Sequence, residues 1–345
     1  MRRVPYRLSL LAALAVAACQ DSAVPTAENS PAATSVTLAK SSPALTGSPT
    51  ERAEQIVSRV NARLEAAGST VRLDEVWMFS LGAGTDPFRR LRTGSRWVNP
   101  RSVTYSIDES DLVQYDASKP GAPFTNADVL AALVRAHEAY NQVDNIVLQS
   151  TRVADNGANN DILDGEILDA QGNCIDVVDL TAATLVSYDP STGAISFNPV
   201  ADNLFGGWLA PTYFANCLGS AQILGVTWTF SDVDGSLGDG TDGYRDRIYT
   251  EQFYNSRFAW VTSGSPFLGP TEDVESIVLH EVGHTHGLGH FGGPNTNQPF
   301  KLQPNGRVFD PEAVMNPFYL GGEKRDLLPT DLAGLKTLYA SKALQ

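Results

Sequence analysis

Between positions 280 and 290 the chain reads His280, Glu281, Val282, Gly283, His284, Thr285, His286, Gly287, Leu288, Gly289, His290, so four of its five histidines fall in one short run. At average composition such a run arises by chance on the order of once in 10⁵ chains of this size. On an α-helix His280 and His284 lie about 40° apart and one turn above each other, so both imidazoles point at one ion. Val274, Val278 and Val282 repeat at i+4 on a separate face, which seats the helix in a core. Thr271 is the expected N-cap, with Glu272 and Asp273 in the dipole-favoured first turn. Gly287 lets the chain turn in a conformation open to glycine, so that His290 swings back as third ligand. Three histidines leave a fourth tetrahedral position for water, the mark of a catalytic rather than a structural zinc. Glu281 adjoins the first ligand and serves as the general base for that water, whose pKa the metal lowers to near 7. Attack on an amide carbonyl is the reaction this arrangement implies.

A second segment strengthens the reading. The run at 280–290 matches the metzincin zinc signature, and Ala313, Val314, Met315, Asn316, Pro317, Phe318, Tyr319 resembles the Met-turn of the matrixin branch. Asp331, Gly334, Leu335, Leu338 and Tyr339 resemble the matrixin C-terminal helix. This resemblance, over about residues 97 to 345, implies an α/β (α+β) fold. Its parts are a twisted mixed five-stranded sheet, a zinc-binding active-site helix, a Met-turn and a C-terminal helix. It implies a metalloendopeptidase with one catalytic Zn2+ on His280, His284 and His290 and with Glu281 as base. Met315 is then the hydrophobic floor of the site, and Pro317 to Tyr319 a wall of the S1′ pocket. In the family the strand before the Asp-rich loop is the antiparallel edge of the sheet. Gly225, Val226 and Thr227 are therefore expected to bind an extended peptide through their backbone.

The departures carry weight too. No cysteine lies in 49–95, so the matrixin cysteine-switch mode of latency is absent. Only His137 and His286 remain unassigned, so a second zinc is not expected; His137 reads as a packing or surface residue, and His286 as an exposed neighbour of the site. An alternative function is a surface-anchored binding or adhesion protein that keeps the fold with little turnover. Retention of Glu281 argues against it, because a structural zinc needs no base.

The rest of the chain frames this domain. The apolar stretch at 8–18 is shorter than the roughly 20 residues of a membrane-spanning helix, and Arg2, Arg3 and Arg7 precede it, which gives an export signal over 1–18. Val16, Ala17, Ala18, Cys19 resembles the lipobox of bacterial lipoproteins, so Cys19 is the expected lipidation site. The anchor is then the outer membrane or cell surface, with plain secretion as the alternative. Cys174 and Cys217 remain as a pair suited to a disulfide in an oxidising compartment. Residues 19–48 read as a tether of Ser, Ala, Pro and Thr. Residues 49–95 form a small accessory unit or pro-segment, with a helix carrying Ile56, Val60 and Leu64, a stop at Gly68 and a strand over 71–81. The catalytic domain, 96–345, contributes strands near 103–107, 146–151, 194–197, 222–230 and 247–253. It also contributes a helix from about 126 to 143 opened by a Thr125–Asp128 capping box.

The loop bearing Asp232, Asp234, Asp239, Asp242 and Asp246 has the composition to wrap Ca2+ through oxygen ligands, or to be a solvated turn. Against 25 Lys and Arg stand 39 Asp and Glu; without the three signal arginines the balance is 22 − 39 = −17. Such a surface disfavours nucleic acid. The expected partner is a peptide or protein substrate, with membrane contact only through the lipid anchor and with the chain as a monomer.

Overall fold

The computed structural model describes residues 44–345 apart from 67, 82–93, 156, 158–173, 175–185, 190–193, 198–199, 236–242, 291–312 and 342–345. Pro49 opens the first helix, α1 (Pro49–Ala66), where a proline sacrifices no helical N–H bond. Its stripe Ala53, Ile56, Val60 and Leu64 is buried, and Gly68, at φ +73°, follows its end. Next come β1 (Val71–Leu81), β2 (Ser95–Trp97) and β3 (Val103–Ile107). The helix α2 (Asn126–Asn141) begins at the expected capping box: Thr125 accepts from the Asp128 N–H, and the Asp128 carboxylate accepts from the Thr125 N–H. It is followed by β4 (Ser150–Arg152), the hairpin β5 (Val186–Asp189) and β6 (Ala194–Phe197), β7 (Asn203–Leu209) and α3 (Pro211–Asn216). The chain continues through β8 (Ile223–Asp232), β9 (Arg245–Asn255), β10 (Trp260–Val261), β11 (Glu272–Asp273), α4 (Val274–Thr285), β12 (Phe318–Tyr319) and α5 (Pro329–Tyr339).

Eight of these strands form one mixed sheet in the order β12-β1-β8-β9-β7-β3-β4, with β2 alongside the start of β9. Strands β9, β7, β3 and β4 run parallel; β8 is antiparallel to β9, β1 antiparallel to β8, and β12 parallel to β1. The fold is thus mixed α/β, with five helices among the described residues. Its sheet exceeds the five strands expected because β1, β2, β7 and β12 join it, while the expected strand at 194–197, β6, pairs with β5 in a separate two-stranded sheet. Both α1 and β1 belong to the same compact unit, Ser42–Gln345, as the remainder.

The topology corrects one expectation about the cleft. Gly225, Val226 and Thr227 lie on a central strand, not an edge: β8 pairs with β9 on one side and with β1 on the other. An edge strand leaves a row of backbone donors and acceptors open, and β1 satisfies them within the chain.

Smaller differences follow from non-local pairing as well. Glu272 and Asp273 are drawn into β11 beside β10, so the N-cap of α4 is Asp273, which accepts from the Ser276 N–H at 2.9 Å, rather than Thr271. The strand expected over 146–151 is confined to β4, while Ile146 makes a single bridge to Ala340. Leu45, within the expected tether, is buried with the α1 stripe.

Alternation along the strands divides the interior into two cores. One gathers Phe79, Tyr105, Phe205 and Tyr254 with α2, α4 and α5; the other gathers Val76, Met78, Val226, Trp228, Phe230 and Phe253 with α1 and α3. Cys174 and Cys217 are joined in a disulfide, Cα atoms 5.2 Å apart, with Cys217 buried in the second core. Residues 1–18 and Cys19 lie outside the described residues. Among those described, no helix is long and apolar enough to cross a membrane.

Candidate metal centre

Every residue of α4 is buried, so its His280, Glu281 and His284 are held by a helix with no solvent face. The helix ends in two reversed hydrogen bonds, Leu288 N–H to the Gly283 carbonyl and Gly287 N–H to the His284 carbonyl, both 2.9 Å. This is the Schellman pattern, and Gly287 occupies its left-handed position at φ +88°. A side chain there would also press on the Ser95 carbonyl, 2.9 Å from an added Cβ.

The turn returns His290 to the helix. The Nε2 atoms of His280, His284 and His290 stand 3.0–3.1 Å from one another. His280 donates from Nδ1 to the Val314 carbonyl (2.6 Å) and His284 from Nδ1 to the Leu288 carbonyl (2.8 Å), which leaves each Nε2 as a lone pair facing the others. Lone pairs so close repel unless a cation lies among them. A tetrahedral ion with metal–nitrogen bonds of about 2.0–2.1 Å sets its ligand nitrogens roughly 3.3 Å apart. The cluster has the size and donor chemistry to hold a metal ion. Burial, with the charge of neighbouring His290, keeps His280 and His284 well below the usual histidine range, in the neutral form that a metal ligand needs.

Glu281, fully buried, has its two oxygens in different surroundings. Thr227 Oγ1 donates to Oε2 at 2.5 Å, whereas Oε1 has no hydrogen-bond partner in the protein. Gly225 makes room for it, since a Cβ on that residue would come within 2.7 Å of Oε1. Burial pushes the carboxyl up to about 8, the Thr227 hydrogen bond opposing; a dication nearby acts in the opposite direction.

Beneath the helix, Gly283 leaves its backbone lying directly on Met315 and the Tyr140 hydroxyl, and that hydroxyl donates to the Leu279 carbonyl at 2.8 Å. Asp331 of α5 accepts from the Val314 and Met315 N–H groups, both 3.1 Å, and so orients the Val314 carbonyl that receives the His280 proton. Pro317 and Tyr319 are buried, with the Tyr319 hydroxyl donating to the Gly322 carbonyl.

Two residues in contact with the cluster escaped sequence reasoning. Phe79 stacks on His280 with ring centroids 3.6 Å apart, and Trp77 stacks on His284 at 4.6 Å while meeting His290 edge-on at 5.3 Å. Their i, i+2 spacing gives them a common face but does not say what that face meets. Trp77 Nε1–H donates to Glu75 (3.0 Å), and Glu75 also accepts from Arg247 (2.9 Å). Arg247 donates in turn to the His284 and Thr285 carbonyls at the end of α4, where a cation is favoured.

His286 is buried rather than exposed: the helix-ending turn folds it inward, where its Nδ1 accepts from Trp97 Nε1–H at 3.2 Å. His137 is buried as well, stacked on Tyr105 at 4.0 Å. Of the Asp-rich loop, Asp239 and Asp242 lie outside the described residues; among those described, only the three histidines form a metal-sized cluster. Compared with models of known protein families and with curated protein sequences, the chain matches none.

Proposed function

We propose that this chain is a zinc-dependent endopeptidase of the metzincin type, matrixin-like branch. The observation that carries the reading is the triangle of converging Nε2 atoms, two of them on the helix that also bears a buried carboxylate with one oxygen unengaged. His280, His284 and His290 would hold the ion; three imidazoles suit zinc and leave a coordination position open. When bound, zinc supplies a Lewis acid and a water acidified to near pH 7.

Glu281 receives and returns a proton at Oε1, because its other oxygen is engaged by Thr227 and no protein group competes for this one. Gly225 preserves the space that this oxygen needs. Met315 and Tyr140 fix the height of the helix, and the Val314 and Leu288 carbonyls hold two of the rings in the ligating tautomer. Pro317 and Tyr319 wall the pocket for the side chain that follows the scissile bond. Export and lipidation at Cys19 would place the enzyme where the Cys174–Cys217 bridge persists.

Two substitutions test this. Glu281→Ala should retain one zinc per chain by atomic absorption and lose chelator-sensitive cleavage of denatured protein by about 10²-fold or more. His284→Ala should lose the zinc itself. Undiminished cleavage by Glu281→Ala would refute its role as base, and full zinc content in His284→Ala would refute the ligand set.

A further inference from the structure

Val226 and Trp228 of β8 enter the second core, so Gly225 and Thr227, which alternate with them, face α4. Both meet Glu281. Gly225 leaves room at Oε1, and Thr227 Oγ1 donates to Oε2 at 2.5 Å. The same hydroxyl lies 3.4 Å from the Glu281 carbonyl oxygen, so one side chain of the sheet touches both ends of this residue. Glutamate has a long side chain with much rotamer freedom, whereas threonine is β-branched and stiff at χ1. The stiff partner therefore sets where the flexible one points. A valine would fill position 227 equally well, and only the hydroxyl holds the carboxylate.

The residue opposite Thr227 on β9, Gln252, reaches the helix one turn further on. Its Nε2 donates to Thr285 Oγ1 (2.6 Å) and to Asn203 Oδ1 (3.4 Å), and Thr285 Oγ1 donates to the Glu281 carbonyl (3.3 Å). The Tyr254 hydroxyl donates to Gln252 Oε1 at 2.7 Å, which fixes the end of the amide that faces Thr285. Thr227, Gln252, Tyr254, Glu281 and Thr285 are all buried. Buried hydrogen-bonded networks of this kind rigidify what they join.

We propose that Thr227 is a positioning residue for Glu281, holding Oε2 so that Oε1 is presented in one orientation to the water it activates, and that Gln252 supports it by fixing the helix turn that carries the carboxylate. Thr227 thus acts through its side chain, while its backbone is taken up by pairing with Trp77 and Gln252. The assignment rests on the peptidase reading of the three-histidine site, and the two fail differently.

The test uses the full-length, zinc-loaded chain, with cleavage of denatured protein and affinity for acetohydroxamate as separate readouts. Acetohydroxamate is a small probe, and His290 of the cluster is only half-buried. As it chelates the ion its proton passes to the neighbouring carboxylate, so its affinity reads the placement of Glu281 without turnover. Thr227→Val should keep one zinc per chain, lower kcat at least tenfold with KM within about twofold, and weaken acetohydroxamate at least tenfold. Thr227→Ser should return both readouts to within about threefold of the unaltered chain. In a Glu281→Gln background, Thr227→Val should change the affinity by less than about twofold, because the group it positions is gone. Should Thr227→Val not fold, Thr227→Ala carries the same expectations. Gln252→Leu should lower kcat at least threefold, and no change would remove Gln252 from the assignment. Unaltered kcat and affinity in Thr227→Val, no recovery in Thr227→Ser, or an equal loss of affinity in the Glu281→Gln background would each overturn the role of Thr227. Acetohydroxamate binding that depends on Thr227 as expected, without any cleavage, would overturn the peptidase reading and leave the positioning standing. Cleavage that does not depend on Thr227 would do the reverse, and a zinc-loaded chain that neither binds the probe nor cleaves would overturn both.

Discussion

His137 shows what a single buried ring does to the stability of the chain. It packs flat on Tyr105, with His286 and Arg152 as the charged or titratable groups acting on it, and neither ring nitrogen has a hydrogen-bond partner in the protein. Burial, aided by the Arg152 charge, lowers its pKa to about 3, whereas an unfolded histidine titrates near 6.5. Between those values the unfolded chain binds a proton that the folded chain refuses. The stability tied to this residue is therefore complete above about pH 6.5 and is lost as pH falls toward 3. Integrated from pH 7 to pH 5, the loss is about 2 kcal/mol. His137→Phe keeps the stack and removes both unpaired nitrogens, so denaturant titrations at the two pH values should show that difference shrink by about this amount. The same pH dependence in both proteins would show that His137 is protonated in the fold. Gly287 makes a different point at this scale: one glycine at φ +88° sets where the third histidine of the cluster falls.

At the scale of elements, the end of α4 depends on one guanidinium. Arg247, itself fully buried, joins the Glu75 carboxylate of β1 to the last carbonyls of the helix that carries two of the three clustered histidines. Arg247→Met leaves a buried carboxylate without its cation and should cost about 3–5 kcal/mol. Combining it with Glu75→Gln should recover part of that loss, and thermal melts of the two variants give the comparison; an equal loss in both would mean that the ion pair is not what stabilises the helix end. Elements whose causes are local were legible in the sequence. The i+4 stripe of α1, the Thr125–Asp128 box and the turn at Gly287 each depend on residues within a few positions of one another. The three-histidine cluster was legible for the same reason, its ligands lying within one run. What the sequence did not disclose is pairing at a distance. A period of two says which face a strand buries but not which strands flank it, so β8 read as an edge although β1 lies against it. Asp273 replaced Thr271 as the N-cap because β10 captures the preceding residues, and His286 is buried because Trp97, far away in sequence, reaches it.

For the molecule as a whole, the Cys174–Cys217 bridge closes a loop across 43 positions and anchors the second core, on the face of the sheet away from α4. In the chain-entropy account such a loop is worth roughly 4 kcal/mol. Replacing both cysteines with serine should lower stability by up to that amount in urea titrations and leave the number of bound metal ions per chain unchanged. Loss of metal binding together with the bridge would mean that the two cores are not separable. They are joined in β1, whose even-numbered Val76 and Met78 enter one core while odd-numbered Trp77 and Phe79 lie over the histidines. Adjacent codons in this strand are therefore subject to different selective pressures. Changes at 76 or 78 are filtered by whether the chain folds, and changes at 77 or 79 by how the rings seat on the histidines. A lineage carrying this strand can adjust the surroundings of the three histidines one substitution at a time, at sites where the cost falls on the rings beside them rather than on the core behind the sheet.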